Sequence, residues 1–378
     1  MSNAKPLGGK ILTKPFLVCL GFVLVALFFI GKRFIFGIGS VTNMNDGYPW
    51  GIWITYDVIV GTALACGGYS MALLVYVANK GEYHPLVRPA LLASVFGYTL
   101  AGISVFIDLG RYWHMYNIFL PWFSNFHSVM FEVALCIGLY VVVLWIEFAP
   151  AFLEKFKLDK TSKKLNRTIF VFIALGILLP TMHQSSLGTL ILMAGHKLSP
   201  LWWSGFLPLL FLISAITMGY AIVIFESTIA SVAFKRPLEL DLLAKISKIM
   251  PWLLGIYLLI RFEDINLRGY LPLVFAGGLK ANMFLLENAL ILISFLILIY
   301  PHNRKNPRLL FVAAVAMLLG GALYRFNSYI IGFDPGTGWH YFPSIPEIMI
   351  TFGVVAVEVM GYLLIVKKLP VLPEMEHA

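Results

Sequence analysis

The sequence predicts an all-α membrane protein of about ten transmembrane helices. Of its residues, 60% are hydrophobic and only 12% are charged, where a soluble domain carries roughly 25% charged residues. The mean hydropathy is +0.85. The apolar residues also fall in stretches of about 18 or more, long enough to cross a bilayer as helices. These runs are too long for barrel strands and do not alternate strictly, so helix is the backbone that satisfies its own hydrogen bonds in lipid.

The 378 residues read as a single polytopic membrane domain, 1–378. Spans are expected near 15–36, 52–79, 86–109, 126–149, 167–193, 203–232, 247–262, 283–300, 308–330 and 345–366, the seventh being the shortest. The first is too long for the apolar core of a cleavable signal and no small-residue cleavage site follows it, so it reads as a retained helix. No low-complexity segment, soluble domain or convincing internal repeat interrupts the series.

Charge sets the orientation. Taking the N-terminus, the even-numbered loops and the C-terminus as one side gathers 20 of the 28 Lys and Arg residues. The other side keeps Lys32, Arg33, Arg111, Lys197, Arg261, Arg268, Lys280 and Arg325. By the positive-inside rule both termini are expected in the cytoplasm, and an even number of spans fits that alternation. The basic residues sit in short loops, so the net charge of +9 reflects membrane topology and not nucleic-acid binding. The outer connections 37–50, 109–125, 262–282 and 327–346 are longer and rich in Gly, Pro and aromatics, with turn-forming runs. Such an ordered surface implies either a docking partner or an aromatic belt at the headgroup level.

Cys19, Cys66 and Cys136 each stand alone in an apolar run. They exclude a disulfide framework and a self-contained iron–sulfur cluster, which needs about four thiolates. No Walker A motif or HExxH motif occurs. A haem held by two imidazoles needs two deep histidines, and only His183 lies deep in a span, so no haem is expected on this chain.

Ionisable side chains inside spans cost roughly 2.5–3.5 kcal/mol each on insertion scales. Here they are Asp57, Asp108, Glu132, His183, Glu226, Glu287, Arg325 and Glu358. Glu132 is expected about 6 residues, or ~9 Å, below the outer face, and Glu226 about 6 residues, or ~9 Å, above the inner face. His183 falls near the middle of the fifth span. Three titratable groups at graded depths, with Tyr98 and Gln184 near them, suit a proton ladder; the alternative is that each is neutral and hydrogen-bonded within the bundle. A second group gathers at outer helix ends: Trp53, Tyr56 and Asp57; Asp108, Arg111, Tyr112, Trp113 and His114; Trp122 and His127. Aromatics with a carboxylate and an imidazole suit a quinone head, stacking on its ring and exchanging protons with its oxygens. An interfacial belt with one Asp108–Arg111 pair is the plainer alternative. The small-residue run Gly61–Gly68 and the Ser185, Ser186, Gly188 set read as sites of close helix packing.

A family resemblance enters with particular stretches. Asp46-Gly47-Tyr48-Pro49-Trp50-Gly51-Ile52-Trp53-Ile54, leading to Tyr56 and Asp57, resembles the NrfD/PsrC superfamily of quinone-interacting membrane subunits. Phe131-Glu132, Met182-His183-Gln184-Ser185-Ser186-Leu187-Gly188, Phe225-Glu226-Ser227 and Trp339-His340-Tyr341-Phe342-Pro343-Ser344 extend the likeness to the HybB-type subunits of respiratory uptake nickel–iron hydrogenases, from the first span to the last. The resemblance implies paired four-helix bundles with extra helices, set in a bacterial inner membrane. It implies menaquinone or ubiquinone as the cofactor, with no haem or iron–sulfur cluster on the chain. Implied partners are a ferredoxin-like iron–sulfur subunit and the small and large hydrogenase subunits on the periplasmic side. Together they would form a hydrogen:quinone oxidoreductase that activates hydrogen on those partners. Tyr98, Glu132, His183 and Glu226 match the family's suspected proton residues; Trp53, Asp57, Asp108, Arg111 and His114 are the candidates for the quinone pocket. Two rivals remain: an NrfD-type subunit serving polysulfide, nitrite or molybdopterin-type reductases, and a secondary transporter or proton channel.

Overall fold

The computed structural model describes residues 4–373. Among them, ten helices are long and apolar enough to span a membrane: α1 Lys14–Phe36, α2 Trp53–Val77, α3 Gly81–Asp108, α4 Val129–Lys155, α5 Asp159–Leu192, α6 Leu207–Phe234, α7 Leu240–Leu267, α8 Gly278–Ile299, α9 Pro307–Ile331 and α10 Ile345–Lys368. Strand-like pairing among the described residues is limited to two isolated bridges, Ala4 with Pro373 and Leu198 with Phe333. The first of these ties together the two ends of the described stretch.

Three helices outrun their apolar stretches. α5 begins at Asp159, eight residues earlier than hydropathy suggests, because Lys160, Lys163, Lys164 and Arg167 extend it into water. At 1.5 Å per residue its 34 residues reach about 51 Å, well beyond a hydrocarbon core of about 30 Å. α4 continues through Pro150 to Lys155, since one missing amide does not end a helix held by its neighbours. The short seventh span gains a separate turn of helix, Leu240–Ile246, before Met250–Leu267.

Two helices depart from α geometry. α2 opens as a π-helix over Trp53–Val60 and closes as one over Leu73–Val77. α9 ends as a π-helix over Asn327–Ile331. Such wide turns re-aim side chains and recur at functional sites.

The chain forms two compact units. The first comprises the described residues of Met1–Thr62, Val87–Leu179 and Pro335–Glu374, and the second Ala63–Leu86 and Pro180–Asp334. In the first unit α1 packs along α10, where a Cβ on Gly353 would collide with Ala26. Its apolar core joins Val41, Trp53, Ile107 and Ile350. Arg88 spans from Glu154, at 2.8 Å, to the Pro370 carbonyl, at 3.1 Å. In the second unit α6 packs on the helical stretch Gly67–Ala72 of α2, and the Ser70 hydroxyl donates to the Ile216 carbonyl at 2.9 Å. A Cβ on Gly219 would strike Ser70 and Cys66, and one on Gly188 would strike the Leu207 carbonyl. Gly219 and Gly188 are therefore close-approach points; of the small residues singled out in the sequence, Gly188 is one, whereas Gly61 meets only the Tyr56 carbonyl at an ordinary 3.5 Å. Arg325, fully buried on α9, donates to the Phe211 carbonyl at 2.8 Å and lies 4.7 Å from the Phe211 ring centroid.

Gly353→Val should overpack the α1–α10 crossing, at a cost of roughly 1–3 kcal/mol. Thermal unfolding of the detergent-purified protein should show a lower midpoint; an unchanged midpoint would mean that the two helices do not meet at Gly353.

Candidate functional site

The first unit assembles its polar site at the start of α10. Ser344 caps that helix by accepting from the Glu347 amide at 3.2 Å, and the Glu347 carboxylate accepts in return from the Ser344 amide at 2.8 Å. This reciprocal capping box fixes the first turn. The same carboxylate accepts from the Asn43 amide at 2.9 Å and from the Tyr341 hydroxyl at 2.7 Å. Tyr341 in turn accepts from the Ile52 amide at 2.8 Å. Burial, reinforced by the bond to Glu347, holds the Tyr341 phenol above its usual range. Trp53 donates its indole N–H to the Glu347 carbonyl at 3.1 Å.

Asn43 and Asn45 fasten this loop further by donating to the Phe342 and His340 carbonyls. Gly47 has no room for a side chain, because the Trp339 ring lies where its Cβ would be. The stretches 46–54 and 339–344, distant in sequence, are thus two faces of one packed structure.

Asp57 lies one turn beyond Trp53 on the π segment and is 6% exposed. Its Oδ2 accepts from Ser104 at 3.1 Å and from Thr351 at 3.4 Å. Its Oδ1 has no hydrogen-bond partner among the described residues, and neither has Oδ1 of Asp108 at the end of α3. Arg33, 2% exposed near the end of α1, supplies the local cation. It donates to the Ile107 carbonyl at 2.6 Å and to the Leu109 carbonyl, and lies 4.6 Å from the Phe34 ring centroid and 5.1 Å from that of Tyr112. Three carboxylates and one guanidinium therefore gather at the ends of α1, α2, α3 and α10.

The residues expected from sequence distribute unevenly. Trp53, Asp57 and Asp108 belong to this cluster, but Trp53 is enclosed by the apolar core. Arg111 is exposed in the turn after α3, and His114 is exposed on the 3-10 segment that follows, where it pairs with Asn117 at 3.2 Å. The arginine that faces the end of α3 is Arg33. Tyr98 is fully buried, its ring edge-on to Tyr140 at 4.5 Å. Glu132 is half-buried in the first turn of α4, not about 6 residues deep, because Ser128 caps the helix and starts it at Val129. In the second unit His183 and Gln184 are both fully buried, with Gln184 Nε2 3.1 Å from His183 Nε2. Glu226 is half-buried on α6.

Sequence reasoning missed Arg33, counted only as a loop charge, together with Ser104, Glu347 and Thr351. The Ser344-Ile345-Pro346-Glu347 run is a Ser-x-x-Glu capping signature that could have revealed Glu347. Nothing in the sequence marks Arg33 as buried. A surface cavity of about 470 Å³ lined by His302, Lys305, Asn306, Pro307 and Arg308 holds none of the candidates.

Ten apolar helices with costly carboxylates buried at their ends define an integral membrane subunit, not a soluble enzyme. The chain belongs to the NrfD family: a family model described as "Polysulphide reductase, NrfD" matches residues 40–332. It is 43% identical to the "Probable Ni/Fe-hydrogenase 2 b-type cytochrome subunit" of Escherichia coli K12, over 99% of this chain and 96% of that protein. It is 28% identical to the "Menaquinone reductase, integral membrane subunit" of Nitratidesulfovibrio vulgaris, over 89% and 86% of the two chains. It is 24% identical to a selenate reductase subunit of Mesobacillus selenatarsenatis, over 62% and 60%. By name these relatives are components of hydrogenase or reductase complexes.

One expectation is corrected here. The sequence led to a chain without haem, whereas the relative at 43% identity is named a b-type cytochrome subunit, and a b-type cytochrome carries haem. The inference rested on counting deep histidines, which assumes that both axial ligands are imidazoles of one chain. Among the described residues His183 is buried and the other six histidines are exposed. They do not supply the imidazole pair of a bis-histidine haem.

Glu347→Gln should loosen the site despite its equal size, since one of the two accepting oxygens becomes an NH2 that can accept from none of the present donors. A buried donor left unmade costs about 1–3 kcal/mol. Limited proteolysis should cut faster within 335–345 in the variant; equal rates would show that the carboxylate does not hold that loop.

Proposed function

We propose that this chain is the quinone-reducing membrane subunit of a respiratory nickel–iron hydrogenase complex. The observation that carries the reading is the pair of buried, unpartnered carboxylate oxygens, Asp57 Oδ1 and Asp108 Oδ1, in one cluster with Arg33. Buried polar atoms almost always have partners, so these oxygens await one. A quinone head supplies carbonyl oxygens that accept protons on reduction to the quinol, which takes two electrons and two protons. Asp57 and Asp108 would deliver those protons. Arg33 would stabilise negative charge on a half-reduced ring, and Trp53 would hold Asp57 in place from the apolar core. Arg111 and His114, exposed beyond α3, would guide the head at the entrance. The name of the menaquinone reductase subunit supports menaquinone, with ubiquinone the other candidate.

Electrons come from outside the polypeptide. The 43% identity to a hydrogenase-2 subunit favours hydrogen as their source, over the polysulfide, nitrite or molybdopterin-type systems of sister subunits and over a transporter without redox partners. A ferredoxin-like iron–sulfur subunit would dock on the outer loops and be fed by the small and large hydrogenase subunits. The chain would lie in the bacterial inner membrane with both termini cytoplasmic, in keeping with the charge asymmetry and with the pairing of Ala4 and Pro373. Proton supply would use Tyr98 and Glu132 in the first unit and His183 and Glu226 in the second.

Asp57→Asn keeps the size of the side chain and removes its proton. Hydrogen oxidation with quinone as acceptor should fall about 100-fold, the scale of a lost general acid, while oxidation with an artificial dye stays unchanged. Unchanged quinone turnover would remove Asp57 from the site. Glu132→Gln should likewise slow quinone-linked turnover and spare the dye reaction; loss of both activities would show that Glu132 serves assembly instead.

A further inference from the structure

The second unit buries a polar cluster that the reading above leaves unused. Arg261 on α7 is 1% exposed, and its Nη2 lies 3.2 Å from Oε1 of the fully buried Glu287 on α8. Glu287 also accepts from the Trp202 indole, 3.1 Å from each oxygen, and from Asn327 at 2.6 Å. The carboxylate is well supplied with donors and the guanidinium is not. Arg261 Nε and Nη1 have no hydrogen-bond partner among the described residues, nor have the Tyr257 and Tyr324 hydroxyls, nor Oδ1 of Asn288 and Asn327. The residues that carry these atoms are neighbours. The Arg261 guanidinium lies 5.0 Å from the Tyr324 ring centroid, and the Tyr324 and Tyr257 rings meet edge-on at 5.5 Å. Asn288 donates to the same carboxylate at 3.4 Å. All six residues are at most 4% exposed.

We propose that this cluster is a binding site for ordered water, which joins the Arg261–Glu287 pair to the Tyr257 and Tyr324 hydroxyls. The mixture of unpartnered atoms selects the ligand. An anion would accept from the guanidinium and the phenols, yet it would leave both amide oxygens unmet and confront Glu287. A metal cation would confront Arg261. Water donates to the amide oxygens and accepts from the guanidinium, so it alone suits both kinds of atom. Lipid offers no hydrogen bonds to replace it. On the quinone reading above, a hydrated Glu287 gives the second unit a proton-exchanging group apart from His183 and Glu226.

Two measurements on the purified native complex test the proposal, and neither uses quinone turnover, so its failure is distinguishable from failure of the quinone reading. A water-resolving cryo-electron-microscopy map should show ordered density within hydrogen-bond distance of Arg261 Nη1 and the Tyr324 hydroxyl. The peak at the hydroxyl should vanish in Tyr324→Phe. Side chains closed on one another without such density would overturn the proposal. Thermal unfolding of Tyr257→Phe and Tyr324→Phe gives the second readout. A hydroxyl bonded to water is lost at a cost, so both midpoints should fall by a few degrees. In a dry cluster each variant removes an unsatisfied group, and midpoints that rise would overturn the proposal.

Discussion

The first unit depends on how one carboxylate is satisfied. Glu347 accepts from the Ser344 and Asn43 amides and from the Tyr341 hydroxyl, while its own carbonyl receives the Trp53 indole. Glu347 is fully buried, so no solvent stands ready to replace any of these donors. The start of α10, the loop before it and the start of α2 are therefore set by a single group. Asp57 and Thr351 come within hydrogen-bond distance because the two helix starts are held in that register. The π geometry of Trp53–Val60 belongs to the same arrangement, letting the chain present Trp53 to the core and Asp57 to Ser104 one turn later.

Each unit uses a related device for burying charge. In the first, a carboxylate is met by backbone amides and a phenol, and Arg33 is met by the carbonyls that end α3. In the second, Arg261 and Glu287 meet directly, beneath an indole and beside the π segment 327–331. A fully buried ion pair gains less than its Coulomb attraction suggests, because desolvation is severe and each partner needs further hydrogen bonds. Glu287 has those bonds from Trp202, Asn327 and Asn288. The unpaired nitrogens of Arg261 mark where the protein's own supply stops.

Much of this architecture was legible in the chain. Hydropathy locates all ten helices, because solvation by lipid demands long apolar runs whatever the tertiary contacts. Asp57, Asp108 and His183 stand out as costly residues within those runs. The rest needed three dimensions. Arg33 and Arg261 sit near the ends of apolar runs, where sequence cannot tell a snorkelling side chain from a buried one. Glu347 looks like the ordinary acid of a helix first turn, and its ties to Asn43 and Tyr341 appear only once the chain folds back on itself. Arg111 drew attention by its nearness to Asp108 in sequence, yet the turn that follows α3 carries it into the open. The haem question shows the same limit: counting deep histidines treats a site as the property of one chain, while the relatives are named as parts of complexes.

The central claim is that the carboxylate cluster of the first unit receives the head of a quinone. Photo-crosslinking of the native complex with an azido-naphthoquinone, followed by peptide mass spectrometry, addresses it most directly. Adducts should map to the segments around 53–57, 104–114 and 341–351 and should disappear when excess menaquinone competes. Competed adducts confined to α6–α9, with none on those segments, would contradict it.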